Sequence, residues 1–269
     1  MTEDVVPDFF RRLWRLPTSP QRRGRKSELT VDAVVGAAVD LADSGGLEAA
    51  TLPKVAAELN VTPMSLYRHV GSKQELLQLM MDAASEPVAA AEVPSWREGL
   101  HLWARDLWTL YRQRPWLPRV PIYRAPSGPH QIAWLERGFT CLASTGLGWR
   151  QQLAALNLLS GYVRQTALLQ GELEEGRDGG QALADSEREY GAALHRVVSE
   201  EDFPRTAEML SADSLGTGPA EDDGTTRQEG PADSPGADRD FVEGLEVILD
   251  GLATRIAHDD DSATSERKQ

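Results

Sequence analysis

From Thr30 to about Pro204 apolar residues recur at intervals of three and four, broken by short Gly- and Pro-containing stretches, with no strand-like alternation. The spacing predicts helices over 30–43, 51–59, 63–70, 73–91, 95–113, 129–145, 149–173 and 183–199, and hence an all-α fold. Residues 211–240 break the pattern with five Gly, three Pro, eight acidic residues and Leu215 as their only large apolar side chain. Such a stretch buries too little surface to offset the entropy of ordering, so a disordered acidic loop is expected. The helical pattern then returns, with Phe241, Leu245, Ile248, Leu249, Leu252 and Ile256 forming one continuous stripe. The Pro-punctuated residues 1–24 read as a flexible basic arm, in which Phe9, Phe10, Leu13, Trp14 and Leu16 can form a brief amphipathic turn. The expected organisation is therefore an arm (1–24), a three-helix head (25–84), a helical body (85–210), the acidic loop (211–240) and a last helix (241–258).

Charge changes the picture once it is divided along the chain. A net charge of −14 argues against nucleic acid as a partner. Residues 1–84, however, carry ten Lys and Arg against eleven Asp and Glu, and seven of those cations lie between Arg11 and Lys26. The acid sits almost wholly in the rest of the chain, which leaves room for a basic surface on the head. The single cysteine, Cys141, excludes an internal disulfide framework. Neither a run of about 18 apolar residues nor a secretory leader is visible, so a cytoplasmic protein without membrane contact is expected.

The segment 30–84 carries the chemistry. Thr30 caps a first helix that Ser44-Gly45-Gly46 ends; Thr51 caps a second with Leu52, Val55, Ala56 and Leu59 inward. After the short turn Asn60-Val61, Thr62 caps a third helix with Pro63 in its first turn. Two short helices joined so tightly are the arrangement that presents the second to a DNA major groove. Leu66 and Val70 face inward, leaving Pro63, Met64, Ser65, Tyr67, Arg68 and His69 outward. Ser65 and Arg68 suit base edges, Met64 a thymine methyl, Tyr67 and His69 phosphate oxygens, and Lys73 adds a point charge beyond.

These residues resemble the DNA-binding domain of TetR-family transcriptional regulators. The likeness rests on Gly46-Leu47-Glu48-Ala49-Ala50-Thr51, Val55-Ala56-Ala57-Glu58-Leu59-Asn60-Val61, Ser65-Leu66-Tyr67-Arg68-His69-Val70, and Lys73 followed by Glu75-Leu76-Leu77. It implies DNA contact through Tyr67, His69 and Lys73, and likens Arg22, Arg23, Arg25 and Lys26 to arms that reach a minor groove. The remainder resembles the regulatory domain of the tetracycline-repressor branch, through Ser95-Trp96-Arg97, Arg114-Pro115-Trp116, Phe203-Pro204 and Phe241-Val242-Glu243-Gly244-Leu245 with Leu249-Asp250-Gly251-Leu252. The resemblance implies a four-helix dimer interface, here at about 183–199 and 241–257, with Tyr190, Leu194, Val197, Leu245, Ile248, Leu249, Leu252 and Ile256 as contacts. It breaks at the drug site, because Ala89, Trp103 and Pro121 fall where tetracycline repressors use a histidine, an asparagine and a second histidine. Magnesium chelation is therefore not expected.

Five of the seven tryptophans lie between 95 and 135, and an aromatic stripe at helical spacing serves either as core or as the wall of a site for a flat apolar ligand. Trp103, Leu107, Tyr111, Trp116 and Trp134, with Asn157 and Tyr162 as polar partners, are the candidate effector contacts. The histidines (His69, His101, His130, His195 and His258) are dispersed, and neither a metal site, a cofactor nor a nucleophile with a matched base is expected. The reading is a homodimeric, effector-released repressor of a palindromic operator. Its rival is a helical binding protein or enzyme using the helix-turn-helix for protein contacts.

Overall fold

The computed structural model describes residues 6–17, 29–88, 94–176, 183–211 and 235–266, with the backbone alone for 183–188, 235–237 and 259–266. All regular structure among these residues is helical: α1 (Asp8–Leu13), α2 (Val31–Gly45), α3 (Leu52–Glu58), α4 (Pro63–Val70), α5 (Lys73–Ala84), α6 (Trp96–Gln113), α7 (Pro129–Leu142), α8 (Trp149–Glu175), α9 (Leu183–Val197), α10 (Pro204–Ser211) and α11 (Pro235–Glu266). Single turns of 3-10 helix occupy Leu47–Ala49 and Leu117–Arg119. The chain divides into two compact units, residues 1–168 with 247–269, and residues 169–246.

Side-chain caps set most of the starts in the head. Thr30, Thr51 and Ser72 accept hydrogen bonds from the amides of Ala33, Lys54 and Glu75 at 3.1, 3.4 and 3.1 Å. Thr62 departs from the expectation: its hydroxyl caps no amide and instead meets the Ser65 hydroxyl at 2.9 Å. The Ser65 amide, which such a cap would bond, donates instead to the Thr62 carbonyl at 2.9 Å. The turn between α3 and α4 is so tight that Asn60 takes a positive φ of 53°, a conformation asparagine tolerates better than most residues.

The core of the head extends beyond its own helices. Val34, Val35, Ala38, Val55, Ala56, Leu66, Val70, Leu76, Leu79 and Met80 are buried together with Phe9 and Leu13 of α1 and with Trp116, Leu117 and Val120 from the segment after α6. Residues 8–13, expected within a flexible arm, thus form a helix whose apolar side is covered. Residues 18–28, which hold Arg22, Arg23, Arg25 and Lys26, lie outside the described residues. Helix α5 stops at Ala84 rather than at 91; Pro87 disfavours helical backbone at Glu86 and ends the pattern early.

Behind the head, α6 packs on α7 and α5 reaches α7. In the second unit α9 packs on α10, a helix the periodicity missed. Helix α11 begins at Pro235, six residues before its apolar stripe. The ion pair of Arg239 with Glu243 at 3.1 Å, one turn apart, supports that polar first part. Most of the expected acidic loop, 212–234, lies outside the described residues.

Candidate functional site

The outward face of α4 is free because only two of its eight residues serve the core. Leu66 and Val70 are buried, and the other six positions are exposed or half-buried. Met64 is 72% exposed and Tyr67 44%; Pro63 and Arg68 are also exposed, whereas Ser65 and His69 are half-buried. Lys73 lies exposed at the start of α5, and Thr51 is half-buried at its capping position on α3. Together with exposed Thr62, these residues offer hydroxyls, one guanidinium, one ammonium and an apolar thioether at exposed or half-buried positions of the head. Burial and the neighbouring Arg68 both lower the His69 pKa below its ordinary 6.5. At neutral pH this ring is therefore a neutral hydrogen-bonding group, and Arg68 and Lys73 supply the charge.

The aromatic region splits in two. Trp103 and Trp134 are both buried and meet edge to face with ring centroids 5.6 Å apart. The Trp103 indole N–H donates to the Trp134 carbonyl at 2.9 Å, and the Trp134 N–H donates to the Ser85 carbonyl at 2.7 Å. The Arg137 guanidinium lies over the Trp134 ring at 5.5 Å and pairs with Asp106. Leu107, one turn after Trp103, is also buried. Tyr111 packs against the head core, and burial pushes its hydroxyl up to about 12, so that it stays protonated. Trp116 does not join this group. Its ring is a plug in the head core, 3% exposed, and its N–H donates to Asp43 at 2.6 Å. Asn157 is exposed on α8 and Tyr162 half-buried.

The joint between head and body is stitched by hydrogen bonds that periodicity cannot show. Buried Asp82 accepts from the amides of His130 and Gln131 at 3.1 and 3.0 Å, capping α7 from outside its own chain segment. A β-carbon on Gly128 would strike that carboxylate, so the close approach requires glycine there. Arg114 reaches both carboxylate oxygens of Asp43 at 3.2 Å and the Ala84 carbonyl at 3.0 Å. Two walls of the aromatic region, α6 and α7, are thereby fixed to α2 and to the end of α5.

The expected dimer contacts are placed unevenly. Leu245 and Leu249 are fully buried within the chain, leaving Ile248, Leu252 and Ile256 partly exposed on α11. Tyr190 and Val197 on α9 are exposed, with Leu194 half-buried. The sequence reading missed the outer face of α8, where Leu153 and Leu158 are exposed, and missed exposed Val247 on α11. Its signal was available: α8 carries apolar residues on more than one face, beyond the inward Ala155, Leu156, Leu159 and Val163. Among the described residues no helix is long and apolar enough to cross a membrane, and no group of three or more His, Cys, Asp or Glu can hold a metal ion.

Comparison with known proteins agrees with this geometry. Residues 34–80 match the family described as bacterial regulatory proteins, tetR family, and residues 89–223 match the tetracyclin repressor-like C-terminal domain. The HTH-type transcriptional repressor DrrR1 of Streptomyces coeruleorubidus is 36% identical over 91% of this chain and 84% of its own. The tetracycline repressor protein class E of Escherichia coli is 30% identical over 51% of this chain and 66% of its own. The crystal structure of the TetR family protein ActR of Streptomyces coelicolor in complex with actinorhodin superposes with a TM-score of 0.67 at 30% identity, covering 86% of this chain and 99% of that one. Family members bind operator DNA and dimerise. The chain belongs to the tetR family of bacterial regulatory proteins, and with it to the ligand-responsive, DNA-binding transcriptional repressors.

Proposed function

We propose that the protein is a homodimer that reads a palindromic operator with α4 and is released by a flat, largely apolar effector held near Trp103 and Trp134. The observation that carries the effector class is that both indole N–H groups are already bonded to backbone carbonyls. What these rings can offer a ligand is their faces and edges. Leu107 lies one turn after Trp103 on α6, and ActR, with actinorhodin bound, is a relative of similar fold.

At the operator, Ser65 and Arg68 meet base edges and Met64 a thymine methyl, while Thr51, Thr62, Tyr67, His69 and Lys73 hold phosphates. Pro63 sets the start of the reading helix. Two heads must sit about 34–36 Å apart to occupy successive major grooves. An effector that favours another spacing weakens binding by its differential affinity for the two states. A second copy covers apolar side chains left exposed on the first unit, Leu153, Leu158 and Val247 with Ile248, Leu252 and Ile256. Tyr190, Leu194 and Val197 offer a further apolar strip in the second unit.

The test is a gel-shift titration against DNA flanking the gene, with random DNA as competitor and Tyr67→Ala as control. Retention that survives competitor and disappears in the variant supports the reading. Equal behaviour of wild type and variant on an operator chosen by random-sequence selection sinks it.

A further inference from the structure

Helix α1 is attached to the molecule at both of its sides, and its cations face protein. Phe9 and Leu13 are buried in the head core, and α1 packs on both α4 and α5. Arg12 pairs with Glu75 in the first turn of α5, beneath the turn that links it to α4. A β-carbon on Gly71 in that turn would collide with both groups. Arg15 bonds Asp32 at the start of α2 at 2.6 Å, and Arg11 bonds the carbonyls of Val6 and Pro17 at 3.1 and 3.2 Å. On its other side α1 meets the loop that leads into α7. The Trp14 indole N–H donates to the Ser127 carbonyl at 2.8 Å, and the Arg124 guanidinium lies 4.9 Å over the Phe9 ring.

We propose that α1 is a positioning brace: it ties the reading helix α4 to the 124–127 loop and so sets the angle at which the head is held on the regulatory body. The inference rests on the DNA-reading role of α4 for its consequence, but its geometry is independent of any operator. Without α1, the head stays joined to the body through α5, the Asp82 cap, the Arg114 bonds, and Trp116, Leu117 and Val120 in the head core, and rotation about that joint changes the spacing of two heads. With α1, the loop before α7, whose Trp134 lines the aromatic region, is connected to α4 directly. A change at α7 therefore has a route to the reading helix through α1 besides those through the joint. Arg12, and Arg15 just beyond α1, hold the brace in place, which distinguishes them from a basic arm that binds phosphate.

The decisive variant cuts only the outer attachment. Trp14→Phe combined with Arg124→Gln removes the hydrogen bond and the cation over Phe9 while leaving Phe9 and Leu13 in the core. Spin labels at Lys54 on the head and Thr140 on α7, in a Cys141→Ser background diluted with unlabelled chain, report the head-to-body distance. The expected result is a broadened distance distribution with a melting temperature within about 2 °C of wild type. Affinity for a selected operator duplex falls roughly fivefold, while affinity for random DNA is unchanged, because the same heads are presented at a less well-defined spacing. Arg124→Lys alone, which keeps a cation at the ring and the Trp14 bond, keeps the narrow distribution. An unchanged distribution in the double variant overturns the brace. A wild type that shows no operator preference overturns the DNA-reading role, and the distance distribution still decides the brace.

Discussion

The head and the aromatic region behind it use the same kinds of residue in opposite ways. On α4 the side chains proposed to read DNA are those the core does not need, so Tyr67, Arg68 and Met64 project from a short helix held by Leu66 and Val70. Behind the head, the tryptophans expected at the effector are core themselves, and each has its N–H bonded. A surface reader can be altered with little loss of stability, whereas an aromatic site built from core cannot. Trp116 shows how far this goes: a residue of the body sequence completes the core of the head.

The largest effect expected from that contrast is at Trp116. Trp116→Ala costs about 3–5 kcal/mol, the range for emptying a large aromatic site, and Asp43 loses its N–H partner. Denaturant unfolding measures this, and a variant that keeps wild-type stability while losing only its effector response would move Trp116 back to the ligand site. Arg68→Ala comes next, with about 1–3 kcal/mol of operator affinity lost and its preference relaxed at one base position. Its melting temperature is expected to stay within about 2 °C of wild type. A comparable loss of stability would show that the surface of α4 is not separable from its core.

At the joint, Asp82→Ala removes a buried cap and leaves two amides of α7 unpaired, for about 1–3 kcal/mol. Asp82→Asn keeps the accepting oxygen and relieves a buried charge, so it costs much less. Burial raises the Asp82 pKa above 3.8 in spite of the bonds from Gln131 and His130. The stability it contributes is therefore fullest below the unfolded value and declines as pH rises through the folded one. The difference between wild type and Asp82→Asn in denaturant melts across the acid range checks this sign. The smallest effect is at His69. Its pKa lies below 6.5, so the unfolded chain takes up a proton that the folded head resists, and stability falls as pH drops through that value. His69→Gln removes this loss in melts compared at about pH 7.5 and 5.5, and leaves operator affinity at the higher pH within roughly twofold.

Much of the head was legible because its information is local. Caps at Thr30 and Thr51, the stop at Gly46 and the inward pair Leu66 and Val70 each follow from residues within a turn or two of one another. The free face of α4 is what remains when those needs are met. Periodicity failed where a helix is too short to show it, as in α1, or where neighbours outside the segment decide. Phe9 and Leu13 became core because α4 and α5 cover them, and Pro87 ended α5 early although apolar residues continued.

The sequence by itself determined the all-helical class, the helix-turn-helix and the outward residues of α4, because hydrogen bonding and apolar spacing within a helix are set over a few residues. The tertiary structure alone decided that Trp116 plugs the head, that Asp82 caps a helix 48 residues further on, and that α1 lies between α4 and the loop before α7. Those bonds join residues far apart in the chain, and their pairing depends on which surfaces are brought together when apolar faces are buried, which no local pattern encodes.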